Sequence, residues 1–199
     1  MGEICSIKGR IGFRGYTRRD IISNNDGAIS LSPSNIVDNN LRFEDCTFIT
    51  WDKYYESPEI IASVNDIVFT KTASVGKLAI IKCLPHAATI NPQLVLLKEI
   101  KCTPKYLYYY MTTEKFQSDV RVITGVGSVP NVPQSSLSRI EIPILPLAEQ
   151  ERIVSILDRF EALTTDLTSG LPAEINARQQ QYEYYRDTLL SFPRKASNS

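Results

Sequence analysis

The chain has 199 residues, 43% of them hydrophobic and 22% charged, with 22 Lys and Arg balanced by 22 Asp and Glu. That length carries one substantial core and about one domain. No apolar run approaches the roughly 20 residues of a membrane span, and no basic start is followed by an apolar stretch as in a secretory signal. The four cysteines, Cys5, Cys46, Cys83 and Cys102, form no C-x-x-C pair, so no metal site is expected and reduced thiols in the cytoplasm are. Charge is uneven: residues 1–140 hold 16 Lys and Arg against 13 Asp and Glu, and 141–199 hold 6 against 9. Arg10, Arg14, Arg18 and Arg19 with Lys8 make a local basic patch at the start, a pattern shared by nucleic-acid faces and ordinary solvated surfaces.

Taken in chain order, short apolar or β-branched runs bounded by turn residues predict strands near Ile4–Ile7, Ile29–Leu31, Thr47–Thr50, Ile67–Thr70, Leu78–Lys82 and Leu94–Lys98. Asn24-Asn25-Asp26-Gly27 predicts a turn. The strands alternate with polar loops rather than helices, which argues against a doubly wound sheet. One internal helix is expected from Thr103, with Pro104 in its first position and Leu107, Tyr110, Met111 and Glu114 at helical spacing. The tyrosines of 106–110 read as core and rim. GVGSVPNVPQ at 125–134 is a loop, and Arg139–Ile142 a short strand leading into Pro143 and Pro146.

From Pro146 or Leu147 a helical arm begins, with Glu149 and Glu151 favourably placed in its first turn. Ile153, Ile156 or Leu157, Phe160, Leu163 and Leu167 recur at spacings of three and four, a heptad-like seam. Ser169–Pro172 interrupts it as a kink or a turn, and Ile175, Tyr182 and Leu189 continue a more polar stripe. Two or three heptads do not hold an isolated helix in water. The arm therefore folds back on its own chain or pairs with another, and the periodicity leaves both open. The expected class is α+β: a strand-rich mixed domain over 1–142, a helical coiled-coil arm over 143–193, and a disordered tail over 194–199.

No catalytic constellation is present. His86 is the sole histidine and has no neighbouring nucleophile or metal partner. Asn91-Pro92-Gln93-Leu94 partly resembles the N-P-P-aromatic motif of adenine methyltransferases, but Leu94 stands where the stacking aromatic is needed. Gly125-Val126-Gly127 opens no βαβ unit. What the loops offer is hydrogen-bonding side chains suited to phosphates and base edges: Arg14, Arg18 and Arg19; Ser32, Ser34 and Asn35; Lys71, Thr72, Ser74 and Lys77; Ser128 and Asn131.

The arm, IPILPLAEQERIVSILDRF followed by LTSGLPAEINARQQQYEYYRDTLLSF, resembles the helical region of the specificity subunits of type I restriction–modification systems. GRIGFRGYTRRD, SPSNI, ESPEI, DIVFTKTASVGK, TINPQLV and GVGSVPNVP follow in the order of landmarks in the target recognition domain of that family. The resemblance implies a non-catalytic subunit without a cofactor of its own. It implies a domain that reads one half of a bipartite double-stranded DNA site through the major groove, and helices that pair as an antiparallel coiled coil. It also implies docking of methyltransferase subunits and, through the complex, of a motor and nuclease subunit. With one domain and one helical region, the chain is expected to be a half-size homodimer, its interface formed by Ile153, Ile156, Leu157, Phe160, Leu163, Leu167, Ile175, Tyr182 and Leu189. The competing readings are an interaction protein that binds methyltransferase or another specificity subunit without reading DNA, and a stand-alone adenine methyltransferase.

Overall fold

The computed structural model describes residues 1–10, 15–23, 26–125, 127–166 and 172–191. In chain order the elements are β1 (Ser6–Gly9), β2 (Ile21–Ile22), β3 (Ala28–Leu31), β4 (Ile36–Val37), β5 (Asn40–Leu41), β6 (Thr47–Ile49), α1 (Trp51–Tyr55), β7 (Ile67–Thr70), β8 (Leu78–Ile80), β9 (Ala88–Ile90), β10 (Leu94–Lys98), α2 (Pro104–Thr112), α3 (Glu114–Ile123), α4 (Gln134–Leu137), α5 (Leu147–Asp166) and α6 (Pro172–Leu189).

Two four-stranded sheets face each other. One has the order β1-β10-β7-β8 and is antiparallel throughout; the other is β2-β6-β3-β9, with β3 and β9 parallel. The first sheet is the middle layer, and because successive side chains of β7, β8 and β10 point to opposite faces that are both covered, these three strands read as nearly unbroken apolar runs. Ile67, Phe69, Leu78, Ile80, Val95 and Leu97 pack against α2, α3 and the arm. Val68, Ala79, Leu94 and Leu96, on the other face, pack against Ile29, Leu31, Ala88 and Ile90 of the second sheet.

The mixed α+β class is as expected, with local differences. β2, β4, β5 and β9 are two or three residues long, too short to leave a periodic signal. β4 and β5 join through Asp38 and Asn39, both at positive φ (49° and 57°), the backbone of a type I′ hairpin. The single helix expected from Thr103 divides at Thr113, whose extended backbone ends α2. The Thr113 hydroxyl then accepts from Phe116 N and caps α3, so Glu114 opens the second helix instead of closing the first. Arg139–Ile142 is not a strand. Ser138 O accepts from Gly2 N at 2.9 Å and Ile140 O from the Met1 amino group at 2.6 Å, and these isolated bonds replace a ladder.

The arm is two helices, and α6 returns along α5: Phe160 stacks on Tyr185 with ring centroids 5.4 Å apart. Its apolar seam is divided. Ile153 and Leu157 are fully buried in the domain's helical core, with Leu190, the residue after α6, in the same cluster. The expectation that a second copy is needed to cover these two residues is therefore corrected, because α2 and α6 already cover them. Ile156, Phe160, Tyr182 and Leu189 are half-buried. Leu167, most of Ser169–Pro172 and the 194–199 tail lie outside the described residues, as do the side chains of Leu163 and Ile175. Among the described residues no helix is long and apolar enough to cross a membrane.

Two outcomes follow. Leu157→Asp places a carboxylate in an apolar site and is expected to cost about 4 kcal/mol in urea unfolding, whereas Ala162→Asp, on the exposed face of α5, is expected to stay within about 0.5 kcal/mol. Burial lifts the Cys5 thiol to about 11 and raises Cys46 and Cys102 as well, while Cys83 is exposed. A thiol reagent at pH 8, followed by mass spectrometry, should therefore label Cys83 first; equal labelling of Cys5 would contradict the packing.

Candidate nucleic-acid interface

The register brings three separated loops to one end of the middle sheet. Thr70, the last residue of β7, lies opposite Leu94, the first of β10, and Gly9, the last of β1, lies opposite Val95. The 71–77 loop, the 91–93 turn and the chain leaving β1 thus emerge together. The 71–77 loop is shaped from within by Thr70, a fully buried residue whose hydroxyl donates to Ser74 O at 2.5 Å and Lys77 O at 3.1 Å. Gly76, at φ +97°, completes the turn, a conformation only glycine adopts cheaply.

The glycine-rich segment, described at 125 and 127–134, is laid across this loop. Thr72 Oγ1 donates to Asn131 Oδ1 at 2.9 Å, Ala73 N to Pro130 O at 2.9 Å, and Val132 N to Lys71 O at 2.8 Å. Lys71 N donates to Gln93 O, tying in the third loop, where Asn91 Oδ1 accepts from Gln93 N in a local turn. Gln117 of α3 props the assembly from below, its amide reaching Gly76 O at 3.1 Å and Met111 O at 2.8 Å.

Of the predicted residues, Lys71, Thr72, Ser74, Lys77, Ser128 and Asn131 are therefore brought together. Lys77, Ser74, Ser128 and Asn131 are exposed. Lys71 is half-buried, burial holds its ammonium below the usual lysine range, and no carboxylate among the described residues pairs with it. Segments 71–77, 91–93 and 125–134 contain no Asp or Glu. A partly desolvated cation with no carboxylate partner among the described residues, on loops that carry hydroxyls and amides, suits an anionic, hydrogen-bonding ligand.

The other predicted residues divide. Ser32 and Ser34 neighbour this end, since Leu31 O accepts from Asn91 N at 2.8 Å; their hydroxyls lie 2.7 Å apart. Asn35 is corrected from a contact to a brace. It is buried, its Oδ1 accepts from Ser32 N, and its amide donates to Arg42 O and toward Cys46 Sγ, which leaves it nothing to offer a ligand. Arg18 and Arg19 are exposed in the turn before β2, at the opposite end of the second sheet, because Ile21 pairs with Ile49 and Ile49 with Ala28 at the start of β3. Arg14 lies outside the described residues. Arg10, read from the sequence only as part of the basic patch, and Gln93 and Gln117 stand outside the predicted contact residues. Arg10 is buried and reaches Ile90 O at 3.2 Å, anchoring the chain where it leaves β1. Nothing in the sequence separates it from its neighbouring arginines.

A family model described as the type I restriction modification DNA specificity domain matches residues 3–177. The chain is similar to the Escherichia coli type I restriction enzyme EcoR124I/EcoR124II specificity subunit, 36% identical over 155 residues, covering 74% of this chain and 37% of that protein. It is also similar to a putative type I restriction enzyme specificity subunit of Haemophilus influenzae, 44% identical over 88 residues, covering 44% of this chain and 22% of that protein. The crystal structure of the HsdS subunit from Thermoanaerobacter tengcongensis shares the fold, with a TM-score of 0.63 at 18% identity, covering 95% of this chain and 43% of that one. The chain thus spans less than half the length of these relatives.

Gly76→Ala tests the loop assembly. Besides the positive φ, an added Cβ would lie 2.5 Å from Gln117 Oε1. A loss of about 1–2 kcal/mol is expected in urea unfolding, against about 0.5 kcal/mol or less for Gly127→Ala, where the nearest atom would be 3.9 Å away.

Proposed function

The chain belongs to the type I restriction–modification DNA specificity family, and on that premise we propose that its loop end reads one half of a bipartite double-stranded DNA site while its helical arm docks methyltransferase subunits. The observation that carries this reading is Lys71, a half-buried cation with no carboxylate partner among the described residues, in the loop that Thr72 ties to Asn131 at one end of the sheet. Lysine serves phosphates and guanine edges, and hydroxyls and amides serve the other base edges. Methyl transfer to adenine belongs to the partner subunits, and the motor and nuclease subunit joins through the same complex, in the cytoplasm.

Assembly as a homodimer is part of the proposal. With Ile153 and Leu157 used inside the chain, its support comes from the outer arm. There Tyr184 is 67% exposed and Tyr185, stacked on Phe160, is 39% exposed, an aromatic surface suited to a twofold contact. Two copies would present two loop ends and a palindromic two-part site.

Methylation sequencing of host DNA tests the reading, with this chain and its cognate methyltransferase co-expressed and with each omitted. A two-part adenine motif that needs both is expected. Absence of any motif would favour the interaction-only reading. Lys71→Ala is expected to lower modification of that motif about tenfold, as for loss of one good base or phosphate contact. Arg18→Ala, at the other end of the second sheet, is expected to lower it less.

A further inference from the structure

The arm meets the domain through two kinds of contact. Ile153 and Leu157 lie in one apolar cluster with Tyr106, Leu107 and Tyr109. Such packing is strong but non-directional, and a helix can rock on it. Beside it stands a polar joint. The hydroxyl of Tyr109, a residue 1% exposed, lies 2.6 Å from Asp158 Oδ1 and 2.9 Å from Glu161 Oε2. Lys105 Nζ lies 2.6 Å from Asp158 Oδ2, and Lys82 Nζ lies 3.5 Å from Glu161 Oε1.

A phenol has one proton to donate, and here two carboxylates three residues apart on α5 converge on it. Such bonds weaken steeply with misalignment. Sliding α5 by one residue moves each carboxylate about 1.5 Å along the axis and turns it about 100°, so neither could keep its place. The lysines come from different parts of the domain, Lys105 from α2 and Lys82 from the segment after β8, so the joint brackets α5 from two sides.

We propose that Tyr109 is a positioning residue: its hydroxyl, shared between Asp158 and Glu161, fixes the direction of the arm relative to the domain that carries the loops. The consequence for DNA, that the loop end is held in a set orientation to whatever the arm binds, rests on the function proposed above. The arm direction itself does not.

The test is a distance distribution by pulsed electron spin resonance on the full chain. Nitroxide labels are placed at the exposed Cys83 and at Gln180→Cys, an exposed position on α6. A Cys46→Ser background and dilution with unlabelled chain remove other signals. The parent should give one narrow distance. Tyr109→Phe, which keeps the ring, should widen it about twofold or split it as α5 gains a second orientation. Tyr108→Phe, whose lost hydroxyl served Asn39 O and not the arm, should leave it unchanged. Parental width in Tyr109→Phe at a parental melting temperature would overturn the proposal, as would equal widening in Tyr108→Phe. Should Tyr109→Phe fail to fold, Asp158→Ala with Glu161→Ala removes the acceptors from half-exposed positions, and parental width there overturns it equally. The measurement needs neither DNA nor methyltransferase, so failure of the DNA-reading proposal would show separately in the methylation motif.

Discussion

The tyrosines of α2 are the constraint on which the rest of the structure depends. Tyr106, Tyr109 and Tyr110 are almost wholly buried between the middle sheet and the arm, and three hydroxyls of the run reach three different segments. Tyr106 donates to Pro143 O where the chain leaves the domain, Tyr108 to Asn39 O at the tip of the β4–β5 hairpin, and Tyr109 to the carboxylates of α5. Each ring contributes apolar area, and the hydroxyls of Tyr106, Tyr108 and Tyr109 each find a partner, as a buried tyrosine requires. Gln150 adds a staple at the start of the same helix. It is buried, accepts from Thr103 N at 2.9 Å and donates to Leu145 O at 2.7 Å, so the first turn of the arm satisfies the N–H of the residue that caps α2.

This joint separates the molecule into regions with different tasks. Strands β7, β8 and β10 of the middle sheet are buried on both faces, and the sheet sends its loops out at one end, where hydrogen bonds between loops set their shape: Thr72 to Asn131, Ala73 to Pro130 and Lys71 to Gln93. The arm is gripped through α2 and presents an outer surface that the domain does not cover. The DNA-reading role proposed above needs this arrangement, because side chains that read a ligand are best held by a rigid scaffold behind them.

Much of this was legible in the residues. β3, β7, β8 and β10 announce themselves as apolar runs, and Pro104 after Thr103 marks the start of α2. Thr113 is harder, since one hydroxyl both accepts from Phe116 N and donates to Tyr110 O, and no periodicity foretells a break at that point. The 71–77 loop and the described 127–133 stretch read as loops, with Gln134 already opening α4, but their meeting at Thr72 and Asn131, 59 positions apart, is a product of topology. Asn35 and Asn131 are chemically identical in sequence, yet one is buried as a brace and the other is exposed. The spacing of Ile153 and Leu157 showed that one face of α5 is covered; it carried no information on whether the cover comes from the same chain.

The most direct test of the central claim, that the loop end is the DNA face, is hydrogen–deuterium exchange of the chain assembled with its methyltransferase, with and without the methylated motif as a duplex. Slowed exchange over 71–77, 91–93 and 127–134, with 18–20 and 51–55 unchanged, is the predicted result. Protection confined to 18–20 and 51–55, with the three loops exchanging as before, would contradict it and move the DNA face to the opposite end of the second sheet.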